Sequence, residues 1–169
     1  MMFFRRLFSS QSGAAAAEMA LIAPLGVLMF FTAVESGHYI YAQQQLVKAV
    51  RDGARFGARQ PFDEVNCRTG SGVVSAQVQS AVRAIALTGA LTGSSERRSG
   101  WDSSEISFVV SATCPSTAEA TDGIYAASEP AAVINVAATI GYDSLFGGLG
   151  IINDSFSLNG EQNAVVSGI

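Results

Sequence analysis

The chain has 169 residues, enough for one modest domain or one domain plus an anchor. Hydrophobic residues make up 49% and charged residues only 14%, low against the roughly 25% charge of an average soluble protein, which points to a membrane, an assembly or a sticky extracellular surface. Net charge is −4 but unevenly spread: residues 1–60 sum to +3 and residues 61–169 to −7, without the interleaved aromatics of a basic soluble surface, so a nucleic-acid partner is excluded.

The N-terminus reads MMFFRRLFSSQSG, a short basic leader with Arg5 and Arg6. Ala14 to Val34 follows, 21 residues whose only charge is Glu18. About 20 apolar residues span a bilayer as a helix, and the positive-inside rule keeps the Arg5–Arg6 end cytoplasmic. One reading is a secretory signal peptide, but Val34-Glu35-Ser36 is a poor cleavage site and the small residues Ala14–Ala17 precede the apolar run. A second is an ordinary single-span anchor, in which Glu18 snorkels to the headgroups. A third uses the spacing. A cut between Gly13 and Ala14 makes Ala14 residue one and Glu18 residue five, the arrangement of a class III, prepilin-type signal. An ionisable group inside a membrane span is a functional-site hypothesis by default. Pro24 lies within the span, removes a hydrogen bond to the Ala20 carbonyl and should bend the helix.

Nothing breaks the helix before Pro61, so residues 35–60 continue it beyond the membrane. Leu46, Val50, Ala54 and Ala58 form an apolar stripe, and Arg51, Arg55 and Arg59 a second stripe, both at i, i+4. Gly53 and Gly57 form a small-xxx-small pair that permits close packing. The apolar stripe reads as core, and the arginines as a solvated face or as partners of carbonyls and carboxylates. Tyr39 and Tyr41 fall where an interfacial aromatic belt would lie.

Together these segments resemble the TadE-like family of tight-adherence (Flp) pilus biogenesis. The residues that carry the resemblance are GAAAAEMALIAPL (Gly13–Leu25), ESGHYIYAQQQL (Glu35–Leu46) and VRDGARFGAR (Val50–Arg59). VINVAATIGYDSLF (Val133–Phe146) is a fainter echo, and His38 stands where such sequences often carry arginine or another long polar residue. The resemblance implies a pilin-like or pseudopilin protein, cut by a prepilin peptidase and held in the bacterial inner membrane with its C-terminal domain in the periplasm. It implies a minor component, partnered by other minor and major pilins and the inner-membrane assembly platform, because major subunits of such filaments are much shorter. It also implies that the Ala14 amine created by the cut meets Glu18 of a neighbouring subunit, so that Glu18 checks register during assembly. Alternatives are a permanently anchored periplasmic scaffold of the same apparatus and a membrane-tethered, adhesin-like binding domain.

Residues 61–169 read as an α+β head. Phe62–Gly72 reads as a loop, and Val73–Leu91 as a second helix stopped by Gly89 or Gly93. Thr92–Ser104 is a polar loop, Glu105–Cys114 an alternating strand, Ala118–Glu129 a loop, and Ala131–Tyr142 a second strand with Ile134, Val136, Ala138 and Ile140 on one face. Tyr142–Ile151 is a glycine-rich loop, and Ser155–Leu158 and Asn163–Val166 are segments able to pair as a last short strand. The expected fold is pilin-like: a long N-terminal helix, then a second helix packed on a small antiparallel sheet. Trp101 and Tyr125 read as loop residues available for contact or packing. In an oxidising compartment Cys67 and Cys114 read as a disulfide, the alternative being two buried thiols. With one histidine and two cysteines the chain offers no zinc ligand set, and no catalytic set or cofactor motif is evident, so no enzyme activity is expected.

Overall fold

The computed structural model describes residues 11–92, 95–98, 101, 106–115, 125, 130–147 and 156–168. The fold is α+β, as the sequence indicates: a long apolar N-terminal helix, a second helix and small antiparallel sheets. The leader residues 1–10 and most of 116–129 lie outside the described residues.

The first helix, α1, runs Gln11–Gly57 and contains Pro24. It passes through both compact units of the chain, residues 1–39 and 40–169. It ends four residues before Pro61 rather than at it. Pro61 disfavours helical geometry at Gln60, and the last turn tightens before it arrives: Arg59 N donates to Phe56 O and Gln60 N to Gly57 O, both i→i−3. The end is held from outside by Ser167, whose N–H and hydroxyl both donate to the Ala58 carbonyl at 2.8 and 3.1 Å.

Two corrections follow Pro61. Phe62–Gly72 is not all loop: Val65–Asn66 (β1) pairs antiparallel with Val73–Val74 (β2). The second helix is correspondingly shorter than Val73–Leu91. This helix, α2, runs Ala76–Thr88, because the Ser75 hydroxyl accepts from Val78 N as an N-cap and releases Val73 and Val74 to the hairpin. At the other end Gly89 takes φ 83°, the left-handed geometry that closes a helix C-terminus, and donates its N–H to Ile85 O. Gly93 lies outside the described residues.

The main sheet has order β3-β4-β5, all antiparallel, from Ser107–Thr113 (β3), Val133–Gly141 (β4) and Ser157–Val165 (β5). Strand β5 corrects the expectation of two short segments. The SLNGEQNAV stretch is one nine-residue strand, paired to β4 from Gly141↔Ser157 to Val133↔Val165. Its Asn-Gly is no turn, because Gly160 lies beneath α1: a Cβ there would meet Leu46 Cγ and Val50 Cγ2 at 3.3 Å.

In the unit 40–169 the core is the layer between the helices and one sheet face. Leu46, Val50 and Ala54 of α1, Val78, Val82 and Ala86 of α2, Ile134, Val136, Ala138 and Ile140 of β4, and Leu158 of β5 are all buried. Each fully buried valine, leucine or isoleucine among them contributes about 1.5–3 kcal/mol. Trp101 is packed at 3% exposure, so it is no contact residue. Tyr125 is half-buried, donates to Val166 O at 2.8 Å and packs edge-on against Phe62.

Candidate functional site

The candidate site is the start of α1. Gly13, Ala14 and Glu18 are all exposed on one continuous helix, and nothing lies within 4 Å of where a Gly13 Cβ would be. The i, i+4 spacing places Ala14 and Glu18 on the same face, one turn apart. The residues that follow are apolar on every side and uncovered: Met19 is 66% exposed and Leu21 80%, and Ile22, Leu25, Val27, Leu28, Met29 and Phe30 are also exposed. Exposure of this kind all round a helix requires lipid or other helices about it. One helix in the described residues is long and apolar enough to cross a membrane, with a mean hydropathy of 1.9 in its most apolar window.

The C-terminal part of α1 behaves differently. Leu46, Val50 and Ala54 turn inward, while Arg51, Arg55 and Arg59 are exposed. Gly53 and Gly57 sit against α2 and β4. A Cβ at Gly53 would come within 3.3 Å of Val82 Cγ1 and of the Val82 carbonyl, and one at Gly57 would overlap Ile134 Cδ1. The small residues thus set the approach of α1 to α2 and to the sheet.

Three structural contacts carry no signal that sequence reasoning used. Arg97, assigned by sequence to a polar loop, pairs with Asp52 of α1 at 2.8 Å, and its Nη2 donates to Ile85 O at 3.1 Å while its N–H donates to Leu87 O at 2.9 Å. It therefore ties the loop to both helices and satisfies carbonyls at the C-terminus of α2, where a cation is favoured. Gln43 Nε2 donates to Asn159 O at 2.6 Å. Ser167 closes α1 as described above. A basic residue eight positions beyond a helix-ending glycine was the only trace of the first in the sequence, and the other two join residues more than 100 positions apart.

Cys67 and Cys114 are joined in a disulfide across 47 residues, with Cα atoms 5.8 Å apart. The bond ties the residue after β1 to the residue after β3. Among the described residues no group of three or more His, Cys, Asp or Glu side chains is placed to hold a metal ion.

No curated protein and no solved structure matches the chain. Residues 13–55, the stretch that begins at Gly13 and ends at the second arginine of the exposed stripe, match the family model described as TadE-like protein.

Proposed function

We propose that the chain is a minor pilin or pseudopilin of a tight-adherence pilus system, with a structural rather than an enzymatic role. The observation that carries this reading is the coincidence of three features at one place: the Gly13-Ala14-Glu18 spacing, an exposed apolar helix immediately after it, and a family match that starts at Gly13. A prepilin peptidase cuts between Gly13 and Ala14 on the cytoplasmic face of the inner membrane. The cut removes Arg5 and Arg6, the charges that hold the leader in the cytoplasm, and leaves the apolar helix as a single span with residues after Val34 in the periplasm.

The cut also creates a cation. The new α-amino group at Ala14 is the partner that Glu18 of a neighbouring subunit requires in a low-dielectric helix bundle. A subunit seated out of register leaves a buried charge unpaired, which costs several kcal/mol. Pairing of this kind selects one axial register among helices whose remaining surface is uniformly apolar. The size of the head fits a component present in few copies alongside a smaller major pilin.

Fractionation tests incorporation. In a strain that makes these pili, shearing is expected to release the shortened chain with the filaments. Recovery solely from the inner-membrane fraction, with none in sheared filaments, contradicts a filament subunit and leaves the anchored scaffold.

A further inference from the structure

We propose that the outer edge of β5, together with Arg51 and Arg55 of α1, is a docking groove for an extended acidic segment of a different protein, which adds to the sheet as a fourth strand. This goes beyond the pilus assignment, which rests on residues 13–55 and names no surface on the head.

Strand β5 ends the order β3-β4-β5 and pairs with β4 alone among the described residues. The opposite edge is treated differently. At β3 the β1–β2 hairpin lies so close that a Cβ on Gly72 would overlap the Ala112 carbonyl. One edge of the sheet is covered by the fold, and the nine-residue edge of β5 is not paired by another strand among the described residues. Long unpaired edges present a row of donors and acceptors to any extended chain.

Register shows which groups are presented. Tyr142 N donates to Phe156 O, and Val166 N donates to Ala132 O, so these are hydrogen-bonded pairs at the two ends of the β4–β5 ladder. Antiparallel pairs alternate, which makes residues 158, 160, 162 and 164 the ones that bond to β4. The N–H and C=O groups of Asn159, Glu161, Asn163 and Val165 therefore point away from β4. Two of these carbonyls accept side-chain amides, Asn159 O from Gln43 and Asn163 O from Gln162 at 3.1 Å. Side-chain amides are contacts that an incoming strand can replace. The outward N–H groups of Glu161, Asn163 and Val165 supply three ladder donors.

Charge then selects the occupant. Arg51, Ala54 and Arg55 line a groove with Gln162, Asn163 and Ala164. No ion pair among the described residues engages Arg51 or Arg55. Glu161, the one acid on β5, belongs to the alternate, exposed set of strand side chains and not to the set that packs under α1. A second copy docking edge to edge about a two-fold axis near Asn163 would bring its own Arg51 and Arg55 against these, which disfavours self-pairing in that register. An acidic strand from another protein meets both requirements, backbone and charge.

The test uses the full chain in detergent micelles and a fluorescein-labelled ten-residue peptide alternating glutamate and valine, with its lysine-for-glutamate counterpart as control. The glutamate peptide is expected to bind saturably and to slow amide exchange at Glu161, Asn163 and Val165, whereas the lysine peptide does not. Affinity is expected to fall roughly tenfold in the double variant R51E/R55E. It is expected to fall at least as far in Asn163→Pro, which removes an outward N–H and spares the bonds to β4. Retention of the Cys67–Cys114 bridge and unchanged circular dichroism verify that each variant is folded. Absence of saturable binding, or binding that Asn163→Pro leaves intact, overturns the proposal. So does sedimentation showing a dimer of the chain that Asn163→Pro dissociates, since the edge would then belong to a second copy.

Discussion

A methyl group at Gly57 would overlap Cδ1 of Ile134 and approach Val82 Cγ2 to 3.3 Å, so α1 can lie this close to the sheet only because that methyl is missing. The atoms in the way are ends of side chains, which yield by changing rotamer and not by moving backbone. Gly57→Ala is therefore expected to destabilise the fold by about 1–3 kcal/mol, the usual cost of overpacking a core. A shift of the urea midpoint with unchanged slope measures this; an unchanged midpoint shows that Ile134 repacks freely. Glu18 differs in kind, because its side chain is exposed and its effect depends on neighbours. Glu18→Ala is expected to leave membrane insertion intact, since it removes a charge from an apolar span, and to impair pilus assembly. Normal piliation in that variant removes the register role.

Among the elements, the clearest lesson is the difference between what periodicity carries and what contacts decide. Strand β4 was legible because Ile134, Val136, Ala138 and Ile140 alternate with smaller or polar residues and are all buried on one face. The α1 stripe was legible for the same reason at the helical period. Strand β5 was less so: Asn159-Gly160 has the composition of a turn, and only the approach of Leu46 and Val50 from residues over 100 positions away explains a glycine in mid-strand. The β1–β2 hairpin is two residues per strand, too short for any period to register. Trp101 looked available because it sits in a polar stretch, yet its burial is fixed by the tertiary packing. Arg97 was missed because a loop arginine has no pattern at all. Its role is testable by a double-mutant cycle. Asp52→Asn and Arg97→Ala are expected to couple by about 0.2–1 kcal/mol, as the pair is partly exposed, with a larger total loss in Arg97→Ala because the bond to Ile85 O goes too. Strict additivity would show that the ion pair contributes nothing. The disulfide constrains the hairpin and β3 together. Reduction is expected to expose two alkylatable thiols and to lower stability by about 2–4 kcal/mol. Alkylation of both thiols without reductant would contradict the bond.

At the scale of the whole molecule two physical features stand side by side. Residues 19–34 form a helical stretch that stays apolar on all sides, and residues beyond 40 form a disulfide-tied α+β unit with its own core. Sequence alone made the first legible, because an apolar helix long enough to cross a membrane is written in composition over about 20 residues. It made the candidate cut legible through three residues, Gly13, Ala14 and Glu18. The docking edge of β5 was not legible, since it follows from strand order and register. The central claim is that this chain is processed as a prepilin, and mass spectrometry of its mature N-terminus in a pilus-producing cell tests it most directly. The account predicts a chain beginning at Ala14, shorter by residues 1–13; a chain that still begins at Met1 would contradict it.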